Sequence, residues 1–403
     1  MGKKLWRISL ISLMCICLTG CWSRKELTDL AIVSATGINW KDNRWELTYQ
    51  LVTPAEAASG ATGSSSGSGP PISVISVQAK SLREALAKND FENTRKLHLG
   101  NNRVVVFSEN AARHGINNLM DAYLRNPQSR ETINMFITRD DPRTIVSQLM
   151  YLEKNTGEGI HKLIEKETKS LSTLPKVNVF NMAIMLAGPA KCAIAPEIVL
   201  AGKGEAASKQ QLESTTTLSK LKLGELAILK AGKLKGWLTQ DEALGIAFIR
   251  NKLKATTFSF DCPEERTKAK STFEVTASTT KLKLHRQDDQ YVVTAKIKVK
   301  GTITESSCEL DATSAELISK VEKEIEDEIM NYIQKGWNAV RGMKADVLEF
   351  ADMFHRKYPA EWEKEKDNWE SVFSEKIEFK PTLKVTVERV GLTNHSFQET
   401  IKE

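Results

Sequence analysis

Leu317, Val321, Ile325, Ile329, Ile333, Trp337 and Val340 recur at steps of four or three residues. An α-helix turns once every 3.6 residues, so this spacing puts them on one stripe running about seven turns. Glu322, Lys323, Glu324, Glu326, Asp327 and Glu328 fall on the other faces. Such a stripe must bury itself against a second layer. The preceding residues offer one. Residues 272–286 and 291–304 alternate in polarity as half-buried strands do, and Gln287-Asp288-Asp289-Gln290 joins them as a hairpin. Val292, Thr294, Lys296, Lys298 and Lys300 share one face of the second strand. A last alternating strand from Ile377 to Val390 closes the region. The stripe is expected to pack on this sheet; its length also exceeds what one small sheet covers, so a partner surface is the alternative.

The earlier half reads differently. Residues 31–40 and 45–53 are rich in β-branched and aromatic residues about a polar Lys41-Asp42-Asn43-Arg44 turn, the pattern of a hairpin. Pro54 to Pro71 is nearly all Ala, Gly, Ser and Pro, too poor in apolar bulk to offset its ordering entropy, so 54–71 reads as a disordered loop. Ile72 to Gln78 alternates, and Ser81 with Glu84 has capping-box spacing for a helix reaching about Phe91. Arg103 to Ser108 is a continuous apolar strand, followed by a helix near 116–125, a strand at 132–138 and a helix opened by Asp141-Pro142. Residues 201–217 are small and polar and read as a linker or long loop. Glu225 to Lys230 and Lys235 to Leu238 suggest a short hairpin about Ala231-Gly232, and Asp241-Glu242 begin a helix. The expectation is an α+β chain of two to three domains, each a mixed sheet packed with helices. An α/β-type domain covers 22–200, and an α+β region covers 218–403, with a split near 261 as one option.

The extreme N-terminus is an export segment. Lys3, Lys4 and Arg7 precede an apolar run, Ile8 to Leu18, too short for the about 20 residues a permanent span needs. Leu18-Thr19-Gly20-Cys21 matches a bacterial lipobox. Residues 1–20 are thus expected to be removed and the Cys21 sulfur to carry diacylglycerol, whose methylenes each contribute about 0.8 kcal/mol when buried in lipid. Nothing after Cys21 supplies about 18 apolar residues in a row, so the mature chain is expected to sit on the membrane.

Loss of Lys3, Lys4 and Arg7 with residues 1–20 lowers the net charge from +6 to +3, near neutral for the 383 residues that remain of 403, which disfavours a nucleic-acid partner. Cys192, Cys262 and Cys308 remain as thiols after processing. Cys262 and Cys308 flank the same β segment and are the pair for a disulfide in an exported chain. Three buried free thiols are the alternative.

A catalytic or metal-binding constellation does not emerge. Gly63-Ser64-Ser65-Ser66-Gly67 fits the hydrolase-elbow pattern but lies in a Ser/Gly loop without the strand and helix that motif needs. His98, His114, His161, His285, His355 and His395 are scattered, without metal-ligand spacing. Gly202-Lys203-Gly204 lacks the glycine spacing and hydroxyl of a phosphate loop. The reading is a non-enzyme with no cofactor and no metal.

Specific segments go further. Gly20-Cys21-Trp22-Ser23-Arg24-Lys25-Glu26-Leu27 followed by Ala35-Thr36-Gly37-Ile38 resembles the start of the Ger(x)C family, the C-subunit lipoproteins of spore germinant receptors. Thr94-Arg95-Lys96-Leu97, Arg103-Val104-Val105-Val106, Leu124-Arg125-Asn126-Pro127 and Lys235-Gly236-Trp237-Leu238 agree, in family order. So do Ala345-Asp346-Val347-Leu348 and Phe354-His355-Arg356-Lys357-Tyr358-Pro359 with Trp362 and Trp369. Ser23 departs from the aspartate of many relatives, the 59–69 loop is Ser-rich where others are nearly all Gly, and 201–217 does not align.

The resemblance implies a subunit of a three-part nutrient receptor. It would be anchored through Cys21 on the outer face of the spore inner membrane and act through contact with two membrane partners, the A and B subunits. Phe354, His355, Arg356, Tyr358, Trp362 and Trp369 are the candidate contacts, with plain helix packing as the alternative. A lipoprotein that binds the nutrient itself, in an interdomain pocket, is the competing function.

Overall fold

The computed structural model of the chain describes residues 29–52, 72–153, 155–202, 219–262, 270–288, 290–306 and 314–389, with Gly2, Trp6, Gly204, Ala206, Ser208 and Gln211. The rest of the expected signal segment, Cys21, the 54–71 loop and Cys308 lie outside the described residues.

β1 (Leu30–Lys41) and β2 (Arg44–Val52) pair antiparallel about Asp42 and Asn43, whose φ values of 51° and 57° suit a two-residue hairpin. β3 (Ile72–Ala79) pairs with β2. Ser81 Oγ then accepts the Glu84 N–H at 3.2 Å to cap α1 (Leu82–Glu92), and Glu84 reaches back to the Lys80 N–H at 2.8 Å. β4 (Lys96–His98) and β5 (Val104–Ser108) lie parallel to β1, and β6 (Asn134–Thr138) parallel to β5. Every residue of β5 and β6 is buried, which requires cover on both faces. That cover comes from α2 (Glu109–His114), α3 (Asn117–Arg125), α4 (Pro142–Ser147), α5 (Thr156–Ser170) and α6 (Val179–Ala187).

β7 (Cys192–Gly202), β8 (Ser219–Lys230) and β9 (Lys233–Leu238) complete a sheet ordered β3-β2-β1-β5-β6-β7-β8-β9, with β4 beside β1. Gly202 stands opposite Ser219, so the expected 201–217 linker begins within β7 and its start is paired with β8 in one sheet, which runs on to Leu238. A buried glutamine ties this sheet to its helices. Gln50 Nε2 donates to Val146 O at 2.6 Å and Thr156 Oγ1 at 2.7 Å, while its Oε1 accepts from Ser34 Oγ at 2.5 Å. Those bonds satisfy both ends of an amide that burial would otherwise penalise.

α7 (Gln240–Ile249) leads away from β9, and its residues from Ala243 to Ile249 are all buried, as in a helix apolar all round. It meets a second sheet, ordered β10 (Thr256–Asp261), β11 (Lys270–Gln287), β12 (Gln290–Glu305) and β13 (Ile377–Arg389). β13 runs parallel to β12 because α8 (Ala315–Gly342) and the helices after it return the chain across the sheet. The expected stripe is realised on α8: Val321, Ile325, Ile329, Ile333, Trp337 and Val340 are buried, and Leu317 half-buried. The small sheet does not cover all of it; α7 takes part of the same face, so this surplus apolar length is satisfied within the chain. On the flank of α8, Glu326 accepts the Val385 N–H and Glu322 the Val387 N–H, each at 3.0 Å, which caps the open edge of β13. The fold is α+β, with two sheets joined through one core at α7.

Candidate partner surface

Between α8 and β13, the chain packs α9 (Phe350–Lys357) and α10 (Pro359–Glu365). The turn into α9 is organised by Asp346, which is buried. Its Oδ1 accepts the Leu348 and Phe350 N–H groups, both at 3.1 Å, and its Oδ2 accepts Ala351 N–H at 2.7 Å and Trp369 Nε1–H at 3.1 Å. Burial pushes this carboxyl above the ordinary aspartate range, and those four donors oppose the push.

The expected contact residues divide here. Phe354, Trp362 and Trp369 are buried, with ring centroids 5.2 Å apart for Phe354–Trp369 and 5.3 Å for Trp362–Trp369; Phe354 also stands edge-on to Tyr291 of β12 at 4.6 Å. Of the two readings the sequence allows for them, contact or plain helix packing, these three rings take the packing one and hold α9 and α10 on the second sheet. The reason is spacing: Phe350, Phe354 and Tyr358 recur every four residues and share one helical face. Tyr358 is half-buried, while His355 and Arg356 point to solvent.

Arg356 borders a groove that the sequence did not disclose. A cleft of about 250 Å³ includes Ile184, Cys192, Arg250, Asp346, Glu349 and Arg356 in its lining. It shares Ile184, Met185, Arg250 and Glu349 with a wider cavity of about 490 Å³, lined also by Ile194, Leu226 and Ile246. Arg250 Nη2 donates to Glu349 at 2.7 Å where the two spaces meet. Burial pushes the Cys192 thiol up to about 12, so it is a packing group there rather than a nucleophile.

One wall of the groove is α6, and its outer face is apolar. Phe180 is 48% exposed and Ile184 54%, and Leu124 on the neighbouring α3 is also exposed. An exposed run of large apolar groups beside a charged rim is what partner surfaces carry. The signal in the sequence was Val179-Phe-Asn-Met-Ala-Ile-Met-Leu-Ala, opened by a reciprocal Asn178–Asn181 capping box. Its residues are apolar almost without alternation, which hides which face is turned outward.

Cys262 is disulfide-bonded. Among the described residues, no cluster of His, Cys, Asp and Glu has the arrangement to hold a metal ion, and no helix is long and apolar enough to cross a membrane.

Comparison with known proteins bears on the whole chain. Residues 23–200 match the spore germination protein N-terminal domain, and residues 224–391 match the spore germination B3/GerAC-like C-terminal domain. Spore germination protein KC of Bacillus subtilis (strain 168) is 28% identical over 408 residues, covering 100% of both chains. Putative spore germination protein YfkR of the same organism is 25% identical and covers 97% of this chain and 98% of its own. The crystal structure of the GerBC protein shares the fold, with a TM-score of 0.55 at 16% identity over 88% of this chain and 96% of that one. Two family domains in their proper order, and relatives aligned from end to end, establish that the chain belongs to the Ger(x)C family of spore germination proteins.

Proposed function

We propose that this chain is the C subunit of a nutrient germinant receptor, held through a lipid on Cys21 to the outer face of the spore inner membrane. It acts there without catalysis, by contact with the A and B membrane subunits. The observation that carries this reading is the apolar outer face of α6, Phe180 and Ile184, beside the Arg250–Glu349 groove. The chain-long similarity to spore germination proteins supports the process, and the lipobox supports the tether.

Replacing Cys21 with Ala is expected to move the protein out of the membrane fraction and to abolish germination with nutrients. Full germination with wholly soluble protein would sink the reading. The 490 Å³ cavity favours one alternative, direct nutrient binding, since small-molecule sites span roughly 300–1,000 Å³. Calorimetry with amino acids and sugars separates the two: heat with a nutrient supports the binding lipoprotein, and no heat supports the accessory subunit.

A further inference from the structure

One face of the second sheet packs on α8, and the other is open and covered with lysine. Lys281 and Lys283 on β11, Lys296, Lys298 and Lys300 on β12, and Lys380 and Lys384 on β13 are all exposed there. The strand register sets Lys281 directly opposite Lys296, and Lys298 beside Lys384. Like charges facing each other across strands destabilise a sheet. Some of the charge is answered locally: Lys300 meets Glu388 at 2.9 Å, Lys380 meets Glu378 at 2.8 Å, and Lys384 lies 3.8 Å from Glu322. Lys281, Lys283, Lys296 and Lys298 have no carboxylate partner among the described residues. Between the lysines stand Thr279, Thr294, Thr382 and Thr386.

From this face we infer a docking surface for the anionic headgroups of the membrane itself. Its chemistry separates lipid from protein. Protein interfaces concentrate aromatic residues and arginine and are depleted of lysine. Lysine and threonine predominate on this face, with Glu378 and Glu388 toward the two ends of β13. Lysine is a compact, mobile point charge, suited to diffuse attraction toward many phosphates rather than to one bidentate partner. The inference rests on the proposed tether at Cys21, which would hold the face within reach of headgroups. It would fix how the domain lies on the bilayer, which a single flexible anchor does not.

The test uses the lipidated protein on vesicles of neutral phosphatidylcholine, or of the same lipid with one-third phosphatidylglycerol. Lysine acetylation is read by mass spectrometry. Lys281, Lys283, Lys296 and Lys298 are expected to be several-fold less reactive on the anionic vesicles, and to recover in 0.5 M NaCl. Equal labelling on both vesicles overturns the proposal. Protection on native membranes but not on anionic vesicles also overturns it, and assigns the face to an acidic protein. If the protein fails to float with neutral vesicles, the tether reading fails instead, and flotation with anionic vesicles alone still supports the docking face. The variant Lys281→Glu/Lys298→Glu sets acid opposite Lys296 and Lys384, so the fold is kept or strengthened. With Cys21→Ala added to remove the tether, salt-sensitive adsorption to the anionic vesicles should nonetheless weaken by at least about twentyfold relative to Cys21→Ala alone, since each lysine contributes about fivefold near an anionic surface. Unchanged adsorption by a folded variant refutes the inference.

Discussion

Gly245 of α7 and Gly336 of α8 lie at the crossing of the two helices, each where the backbone of the other occupies the space of a side chain. A Cβ on Gly245 would stand 1.9 Å from Tyr332 O, and one on Gly336 would stand 2.7 Å from Glu242 O. This crossing joins the core of the nine-stranded sheet to that of the four-stranded sheet. Backbone atoms cannot turn aside as a side-chain end can, so substitution must push the helices apart. Gly245→Ala is expected to destabilise by about 1–3 kcal/mol through overpacking, and Gly336→Ala by less. Urea unfolding midpoints check this; a midpoint for Gly245→Ala equal to wild type would show that the crossing is loose.

Arg139 closes the far side of the first sheet. Its Nη1 donates to Glu197 at 2.9 Å, its Nη2 to Glu225 at 2.8 Å, and its guanidinium lies 4.0 Å over the Trp237 ring. Glu197 is almost wholly buried; burial pushes its pKa up, and Arg139 opposes that. Arg139→Ala would leave this carboxylate with the Glu225 N–H, at 2.9 Å, as its remaining donor among the described residues. The expected loss is about 1–3 kcal/mol, the cost of an unsatisfied buried group, tempered by the partial exposure of Arg139 itself. Arg139→Lys should recover only part, because a lysine cannot fork to two carboxylates and stack on an indole together. Chemical denaturation of both variants decides this; full rescue by lysine would contradict the geometry.

Much of this fold was legible because local pattern and tertiary context agree. The Leu317–Val340 stripe, the Asp42-Asn43 turn and the Ser81 cap each specify their element within a few residues. Three features were not legible, for different reasons. For Phe354, Trp362 and Trp369 the sequence leaves contact and helix packing both open, and the parallel return of β13 beside β12, which places the sheet beneath them, decides for packing. The polar 201–217 stretch resembles a boundary, yet its first residues, Ala201 and Gly202, pair with Lys220 and Ser219 in one sheet, a register that composition does not encode. The groove at Arg250–Glu349 draws on residues 99 positions apart, and no spacing rule reaches that far.

His161 gives the first half a pH dependence with a definite sign. Its Nδ1 lies 2.7 Å from Asn134 Nδ2, so a neutral ring accepts from that amide. Burial, aided by Lys176, lowers its pKa below the ordinary histidine value. The unfolded chain therefore takes up the proton first as pH falls, and the stability this residue contributes above about 6.5 is lost on acidification below it. The stability difference between wild type and His161→Gln should shrink from pH 7.5 to pH 5.5. Denaturant titrations at both pH values measure it, and a difference that grows on acidification would reverse the assignment.

Ile184 separates a docking face from a packing face. With about half its surface in solvent, Ile184→Asp should change stability by no more than about 0.5 kcal/mol, as exposed substitutions do. If α6 meets a membrane subunit, the same variant should slow nutrient germination severely while the protein accumulates to normal levels. Normal germination with normal accumulation would remove α6 from the proposed contact.

Cys262 is bonded in a disulfide, and Cys308 is the partner we expect for it. The pair would tie the end of β10 to the segment that follows β12, closing a long loop around the β11–β12 hairpin. In a chain-entropy account, cutting such a loop costs about 2–5 kcal/mol. Peptide mapping without reduction should recover a 262–308 crosslinked pair, and Cys192, buried and free, should react with thiol reagents only after unfolding. Cys308→Ser should then expose a single new reactive thiol at Cys262 and lower the denaturation midpoint. Recovery of Cys262 joined to Cys192 would instead require the strand carrying Cys192 to leave the first sheet, and with it the core that α7 shares between the two halves.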